Sequence, residues 1–265
     1  MNAQKVAEHI TNWLREYAVN AGIKGFVVGV SGGVDSAVTS TLCSLTELPV
    51  LCLEMPIHQA ASQVSRANEH IDQLKSRFPN VRSERVDLTD TFETFVASCP
   101  NSDNSDQREL SLANTRARLR MTTLYYFAGL EGRLVAGTGN KVEDFGVGFY
   151  TKYGDGGVDL SPIADLMKSE VFALASYLQV PESILTAQPT DGLFGDSRTD
   201  EDQLGASYDE LEWAMGQQDA GRSADDFSGR EKEVMDIYLQ LNRANRHKMD
   251  PIPVCLVSDA IKGLD

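Results

Sequence analysis

The chain has 265 residues, and its 39 acidic side chains against 24 basic ones give a formal net charge of −15, which excludes the broad basic face that nucleic-acid backbones require. Hydrophobic residues make up 42% and charged residues 24%, an ordinary globular mixture in a chain long enough to bury a sizeable core. There is no run of about 18 apolar residues to form a membrane span, and four scattered cysteines (Cys43, Cys52, Cys99, Cys255) without a CxxC pair fit reduced thiols in a cytoplasmic protein.

Val6, Ile10, Trp13, Leu14 and Tyr17 follow helical spacing, which predicts an amphipathic helix packed on the body rather than a signal peptide. Lys24 to Val30 is a short apolar run predicting a buried parallel strand, with a helix from Val34 to Leu45 behind it. Pro49 to Glu54 predicts a second strand and Gln59 to Phe78 a helix; Val81 to Leu88 predicts a third strand and Thr91 to Ala97 a short helix. Cys99 to Arg108 is polar and aperiodic and is expected to be a loop. A helix over Leu112 to Leu130 leads into a fourth strand at Arg133 to Gly137. Asp191 to Gly205 and Gln217 to Gly229 are rich in Gly, Asp and Ser and are expected to be loops around a helix at Tyr208 to Met215. Strands alternating with helices predict an α/β fold, a doubly wound parallel sheet with helices on both faces. No repeat or long linker interrupts it, so a single domain over 1–265 is expected. Ligands of such sheets sit at the carboxyl ends of strands, where Ser31 and Thr138 both fall.

The first of those ends carries the strongest motif. Ser31-Gly32-Gly33-Val34-Asp35-Ser36 follows directly on the strand. Gly32 and Gly33 let main-chain N–H groups approach an anion, and Ser31 and Ser36 add hydroxyl donors. The helix starting near Val34 points its positive end at the same place. Asp35 would repel phosphate by itself, so a divalent cation between carboxylate and phosphate is expected. The fourth strand ends in Gly137-Thr-Gly-Asn-Lys-Val-Glu143, where Thr138 offers a hydroxyl and Glu143 a hard oxygen suited to magnesium; an N-cap turn explains the same residues.

Tyr150-Thr-Lys-Tyr-Gly-Asp-Gly-Gly-Val-Asp159 reads either as a surface turn or as a loop that hydrogen-bonds a polar ligand through Lys152, Asp155 and Asp159. Arg116 and Arg120 share one helical face and Arg118 takes another, as a functional basic stripe or as solvated surface. Lys168, after Ser161-Pro-Ile-Ala-Asp-Leu-Met, could reach a phosphate, although a lone lysine carries little weight.

SGGVDS resembles the PP-loop of ATP pyrophosphatases, which cut ATP between the α- and β-phosphates. SGGVDS, NTRARLRM, GTGNKVE, TKYGDGGVD, SPIADLMKSEV, QPTDGL, LGASYDELE and HKM, in this order, resemble ammonia-dependent NAD synthetase. The resemblance implies an adenine nucleotide alpha hydrolase-like fold and the ATP-dependent amidation of deamido-NAD with ammonia. The products would be NAD, AMP and pyrophosphate, formed through an acyl-adenylate. It implies that Gly29, Val30, Ser31, Gly32, Gly33, Val34, Asp35 and Ser36, with Thr138, Lys168 and Thr190, contact ATP. Asp35 and Glu143 would hold Mg2+, and Arg118, Lys152, Asp155, Asp159, His247 and Lys248 would bind deamido-NAD. Asp35, Glu143 and Lys168 would serve the chemistry.

A homodimer is expected, supported by the apolar Leu124, Tyr125, Tyr126 and Phe127. No cysteine has the context of a glutaminase nucleophile, so free ammonia is the expected nitrogen source. Two features depart from the family's pattern: the stretch Asp144 to Tyr150 is one residue longer, and Met249 stands where many relatives carry a basic residue. Rival readings are another PP-loop amidating or thiolating enzyme, and a nucleotide-sensing module without catalysis. Thiolation wants paired reactive cysteines and tRNA a basic face, and both are missing. A sensor has no use for two metal carboxylates.

Overall fold

The computed structural model describes residues 1–190, 192–193 and 199–264. Four parallel strands form the sheet: β1 (Phe26–Gly29), β2 (Val50–Glu54), β3 (Val81–Arg85) and β4 (Leu134–Val135), in the order β3-β2-β1-β4. Phe26 pairs with Val50 on one side and with Leu134 on the other, so the strand order reverses at β1. Such a reversal opens a crevice at the strands' carboxyl ends. The Asp159 amide donates to the Val135 carbonyl, and Ala136 bridges Leu160 in parallel, adding a short margin beside β4.

Side chains alternate along β1 and β2, so each of these two strands feeds two cores. Phe26, Val28, Val50 and Cys52 face one side. They pack against α1 (Ala3–Asn20), α2 (Val34–Leu45) and α3 (Ala61–Arg77). Val27, Leu51 and Leu53 face the other, against α4 (Thr89–Ser98) and α5 (Ser105–Glu131). The α2 boundaries match the expectation, and the doubly wound sheet is as read from the sequence.

Beyond β4 a π-helix spans Val142–Val147, followed by α6 (Lys168–Tyr177), α7 (Glu182–Leu185), α8 (Asp200–Leu204), α9 (Tyr208–Asp219), α10 (Gly229–Met249) and α11 (Asp259–Lys262). α6 and α7 join the first core, whereas the π-helix, α8, α9 and α10 enclose a third apolar cluster around Leu211, Met235 and Tyr238.

Four expectations need correction. Trp13 and Tyr17 lie on the solvent side of α1, 39% and 43% exposed, because Ala7, Ile10, Leu14 and Ala18 already fill its buried stripe. Residues 105–108 are helical: the Asn104 side chain accepts from the Gln107 amide and starts α5 a full two turns before its apolar pattern begins. Within the stretch expected as loop from Asp191 to Gly205, Asp200–Leu204 is helical under a Thr199 cap, while Asp191 and residues 194–198 lie outside the described residues. Finally, α9 runs on to Asp219, and a 3-10 turn at Ala224–Asp226 interrupts the stretch before α10.

Candidate active site

The loop after β1 is tied into a fixed shape by its own serines. The Ser31 amide donates to Ser36 Oγ at 3.2 Å, Ser36 Oγ donates to the Gly33 carbonyl at 3.0 Å, and the Gly33 amide donates to Ser31 Oγ at 3.3 Å. Gly32 has φ +83°, and a Cβ there would stand 2.5 Å from the Gln63 carbonyl oxygen of α3. Any side chain is therefore excluded on two grounds, conformation and space. Arg66 of α3 clamps the same residue by donating to the Gly32 carbonyl. The result is a rigid turn that presents its amides over the N-terminus of α2, the geometry of a phosphate cradle.

The cradle is one wall of a cavity of about 260 Å³. All the residues expected at ATP line it: Gly29 to Ser36, Thr138, Lys168 and Thr190, together with Glu143 and Asp155. Arg120 reaches it from α5, donating to the Met55 carbonyl at 3.0 Å and to Gln59 Oε1 at 2.7 Å. Arg116, one turn away, stacks on Phe92 and donates to the Leu193 carbonyl at 2.9 Å. The basic stripe thus braces the cavity's walls.

At the foot of the cradle Lys168 is buried, 3% exposed. Its ammonium donates to Asp35 Oδ2 at 2.6 Å and to Glu143 Oε1 at 2.9 Å. Burial alone would lower its pKa, but Asp35 and Glu143 outweigh burial and hold it above the ordinary lysine value. Two residues that sequence reasoning passed over complete the cluster. Asn140, fully buried, donates to Asp35 Oδ1 at 3.0 Å while its own carbonyl accepts from the Val142 and Glu143 amides, so it ties the Asp35 carboxylate to the backbone that carries Glu143. Tyr208 donates to Glu143 Oε1 at 2.6 Å and its ring lies 4.7 Å from the Lys168 ammonium. Both sit inside motifs quoted above, GTGNKVE and LGASYDELE; the signal was present, but the roles need the third dimension.

Asp144 is the other omission. Its carboxyl packs against Gly139, where a Cβ would come within 2.2 Å of Oδ1. Burial, with Glu143, Asp155 and Asp35 nearby, pushes its pKa up to about 8. The cluster therefore carries more carboxyls than its single ammonium can neutralise. Among the described residues, no group of three or more His, Cys, Asp or Glu is arranged to hold a metal unaided. Asp35 and Glu143 are hard carboxylate donors of the kind magnesium takes, so the pair fits such an ion without caging it unaided.

The residues expected at the second substrate are spread over the rim. Asp155 and Lys248 line a second cavity of about 180 Å³, which shares Asp144, Tyr150 and Gly139 with the first. Lys248 donates to the carbonyls of Gly148 and Tyr150, both at 2.8 Å, and burial lowers its pKa. Arg118 donates to the Lys152 carbonyl and Lys152 to the His247 carbonyl, so these three form one chain over the exposed edge. Asp159 is placed differently: Oδ2 accepts from the Val135 amide at 2.8 Å and Oδ1 from the Tyr125 hydroxyl at 2.9 Å. Both of its oxygens already bind the protein, at the margin of β4.

A family model described as NAD synthase matches residues 6–252. The NH(3)-dependent NAD(+) synthetase of Carboxydothermus hydrogenoformans is 37% identical over 250 residues, covering 94% of this chain and 96% of that protein. That of Archaeoglobus fulgidus is 36% identical over 263 residues, covering 98% and 100%. Among solved structures, an NMN synthetase from Francisella tularensis superposes with a TM-score of 0.81 at 31% identity, covering 98% of this chain and 99% of that one. An NH3-dependent NAD synthetase from Campylobacter jejuni does so with a TM-score of 0.76 at 26% identity, covering 97% and 100%.

Proposed function

The chain belongs to the NAD synthase family, and from that premise we propose how its residues carry out the ATP-dependent amidation of deamido-NAD to NAD. The observation that carries this reading is the Asp35–Lys168–Glu143 cluster lying directly under a phosphate-shaped loop.

A carboxylate does not react with ammonia at neutral pH, because oxide is a poor leaving group. ATP solves this if the nicotinate carboxylate attacks the α-phosphorus, forming an acyl-adenylate and releasing pyrophosphate; ammonia then displaces AMP. The amides and hydroxyls of Ser31 to Ser36 hold the departing β- and γ-phosphates, and Lys168 places its charge where negative charge accumulates. Asp35 and Glu143 would hold Mg2+, which supplies neutralisation of the polyphosphate when bound. Asn140 holds the Asp35 carboxylate and the Glu143 backbone beside each other at that place. Most of the catalysis is then positioning rather than covalent chemistry by the protein.

Asp155 and Lys248 at the second cavity, with Arg118, Lys152 and His247 on its edge, are the candidate contacts to deamido-NAD. Asp159 enters that set only by supporting the loop between them. Free ammonia is the nitrogen source in this reading. Cys43 and Cys52 are buried with thiol pKa values pushed up by burial, and no cysteine lines either cavity among the described residues. The working form is a homodimer: Tyr126 and Leu130 on α5 are 64% and 67% exposed and provide an apolar face. No helix among the described residues is long and apolar enough to cross a membrane, and a reducing cytoplasm is the setting that suits four unpaired thiols.

A second reading has its own support, the superposition on an NMN synthetase: the acid amidated would then be the mononucleotide, which offers the same carboxylate without the adenylate half.

The experiment is a product assay with either acid labelled with heavy oxygen in its carboxylate. One labelled oxygen should appear in AMP, and Asp35→Asn should lower kcat about 100-fold. Unlabelled AMP, or ADP as the main nucleotide product, would sink the adenylate route. The ratio of kcat/KM for the two acids decides between dinucleotide and mononucleotide.

A further inference from the structure

The LGASYDELE segment supplies two contacts to the active site from one face of one helix. Tyr208 and Glu212 are four residues apart on α9 and therefore neighbours on its surface. Tyr208 donates its hydroxyl proton to Glu143 Oε1 at 2.6 Å; Asp200 Oδ2 lies at 3.3 Å, the weaker of the two contacts. Glu212 accepts from the Ser169 amide at 2.8 Å through Oε1 and from Ser169 Oγ at 2.6 Å through Oε2. Ser169 is in the first turn of α6, directly after Lys168, and its amide is one of those a helix start leaves without an internal partner. A carboxylate from another helix has taken that place, next to the positive end of α6.

We propose that Tyr208 and Glu212 are positioning residues for the amidation reaction: α9 holds Glu143 by one side chain and the Lys168 turn by the other, and so sets the spacing of the metal and phosphate ligands. The geometry argues for more than local packing. Tyr208 is 5% exposed and Leu211, between the two, is fully buried in the third apolar cluster. The helix is therefore anchored in a core separate from the sheet. Glu143 and Lys168 come from chain segments 25 residues apart, and α9 touches both segments through side chains on one rigid element.

The inference rests on the proposed metal role of Glu143, and the two are separable. Tyr208→Phe keeps the ring over Lys168 and removes the hydroxyl alone. Mn2+ binding to the full-length protein with a non-hydrolysable ATP analogue should weaken by about 10- to 100-fold, the usual consequence of losing a partner of a metal ligand. Turnover should fall by a similar factor and recover in part at high metal, with KM for the acid unchanged. Glu212→Gln loses one of the two contacts to Ser169 and should lower kcat about 10-fold with normal Mn2+ affinity, because it touches the lysine's turn and not Glu143. Glu143→Gln is the control for the underlying reading. If Glu143→Gln leaves Mn2+ affinity unchanged, the metal assignment fails. If Glu143→Gln weakens Mn2+ while a folded Tyr208→Phe binds it like the unmodified protein, the positioning role of Tyr208 is refuted. Should Tyr208→Phe not fold, Glu212→Gln alone decides: unchanged kcat overturns the clamp.

Discussion

Replacing Lys168 by Met tests whether its ammonium is what allows Asp35 and Glu143 to share one small volume. The substitution keeps the length of the stem and deletes the charge. The side chains concerned are 4%, 17% and 15% exposed, so water offers little relief, and removing one partner of a buried ion pair costs about 3–5 kcal/mol. In a domain of this size about 1 kcal/mol corresponds to roughly 2–4 °C in Tm, which gives an expected fall on the order of 6–20 °C. Direction with pH adds a second signature. Without Lys168 the two carboxylates face each other and should hold their protons more tightly in the folded than in the unfolded state. Such groups stabilise at low pH and lose that contribution as pH rises, so the deficit should be larger at pH 8 than at pH 5.5. Thermal unfolding at both pH values, with and without magnesium and an ATP analogue, is the assay, and the nucleotide complex should restore more Tm in the variant than in the unmodified protein. A variant whose Tm falls by less than about 2 °C, or by the same amount at both pH values, would refute the reasoning.

His70 is fully buried, with Nε2 2.9 Å from Ser40 Oγ, and burial, then Arg77, lowers its pKa from 6.5 to about 4. The unfolded chain then binds more protons between those values, so about 3 kcal/mol of stability should be lost as pH falls from 6.5 to 4; urea unfolding of His70→Asn should show a flatter profile, and an equal slope would exclude His70 as the cause. Gly32→Ala forces a left-handed residue and a clash with the Gln63 carbonyl, a strain of about 1–3 kcal/mol; calorimetry should show ATP affinity at least about 5-fold weaker, whereas unchanged affinity would remove the loop from the nucleotide site. Asp159→Ala should act on folding more than on substrate, lowering Tm through the lost contacts to Val135 and Tyr125 while KM for the acid stays within about 2-fold, given that each lost hydrogen bond costs about 1 kcal/mol.

How much of this was legible in the sequence depended on how local the governing physics is. β1, α2 and the loop between them were readable because a run of apolar residues, two glycines and a helix start each act over a few positions. Residues at Asp35, Glu143 and Lys168 could be named from motifs, but their meeting at one ammonium depends on a contact spanning 133 residues. The third cluster was hidden for a different reason. α10 carries few buried side chains, Val234, Met235 and Tyr238 among charged neighbours, so its periodicity is too sparse to declare a helix that has no strand to pack on. The start of α5 was lost because a polar cap and first turns look like a loop until Asn104 is seen closing on Gln107.

The two places where the sequence is expected to depart from the family's pattern, Asp144 to Tyr150 and Met249, meet in space. Residues Val142–Val147 form a π-turn, wider than an α-helical one, between Asn140 and Gly148. Asn140, Lys168 and Tyr208 all reach Glu143 within this turn. The widened turn needs its outward carbonyls satisfied, and α10 supplies the donors: Asn242 to the Gly146 carbonyl at 2.7 Å, Asn245 to the Val147 carbonyl at 2.9 Å, and Lys248 to Gly148 and Tyr150. Gly148, left-handed at the end of the turn, sits so close to that helix that a Cβ would lie 2.3 Å from Asn245 Cβ and 3.0 Å from Met249 Cε. The apolar Met249 side chain thus covers the backbone at the end of the turn, where a charged one would have to be desolvated against it. Among the described residues, Lys248 is the one cationic side chain that lines the second cavity, so any anionic group bound there meets its charge from the end of α10.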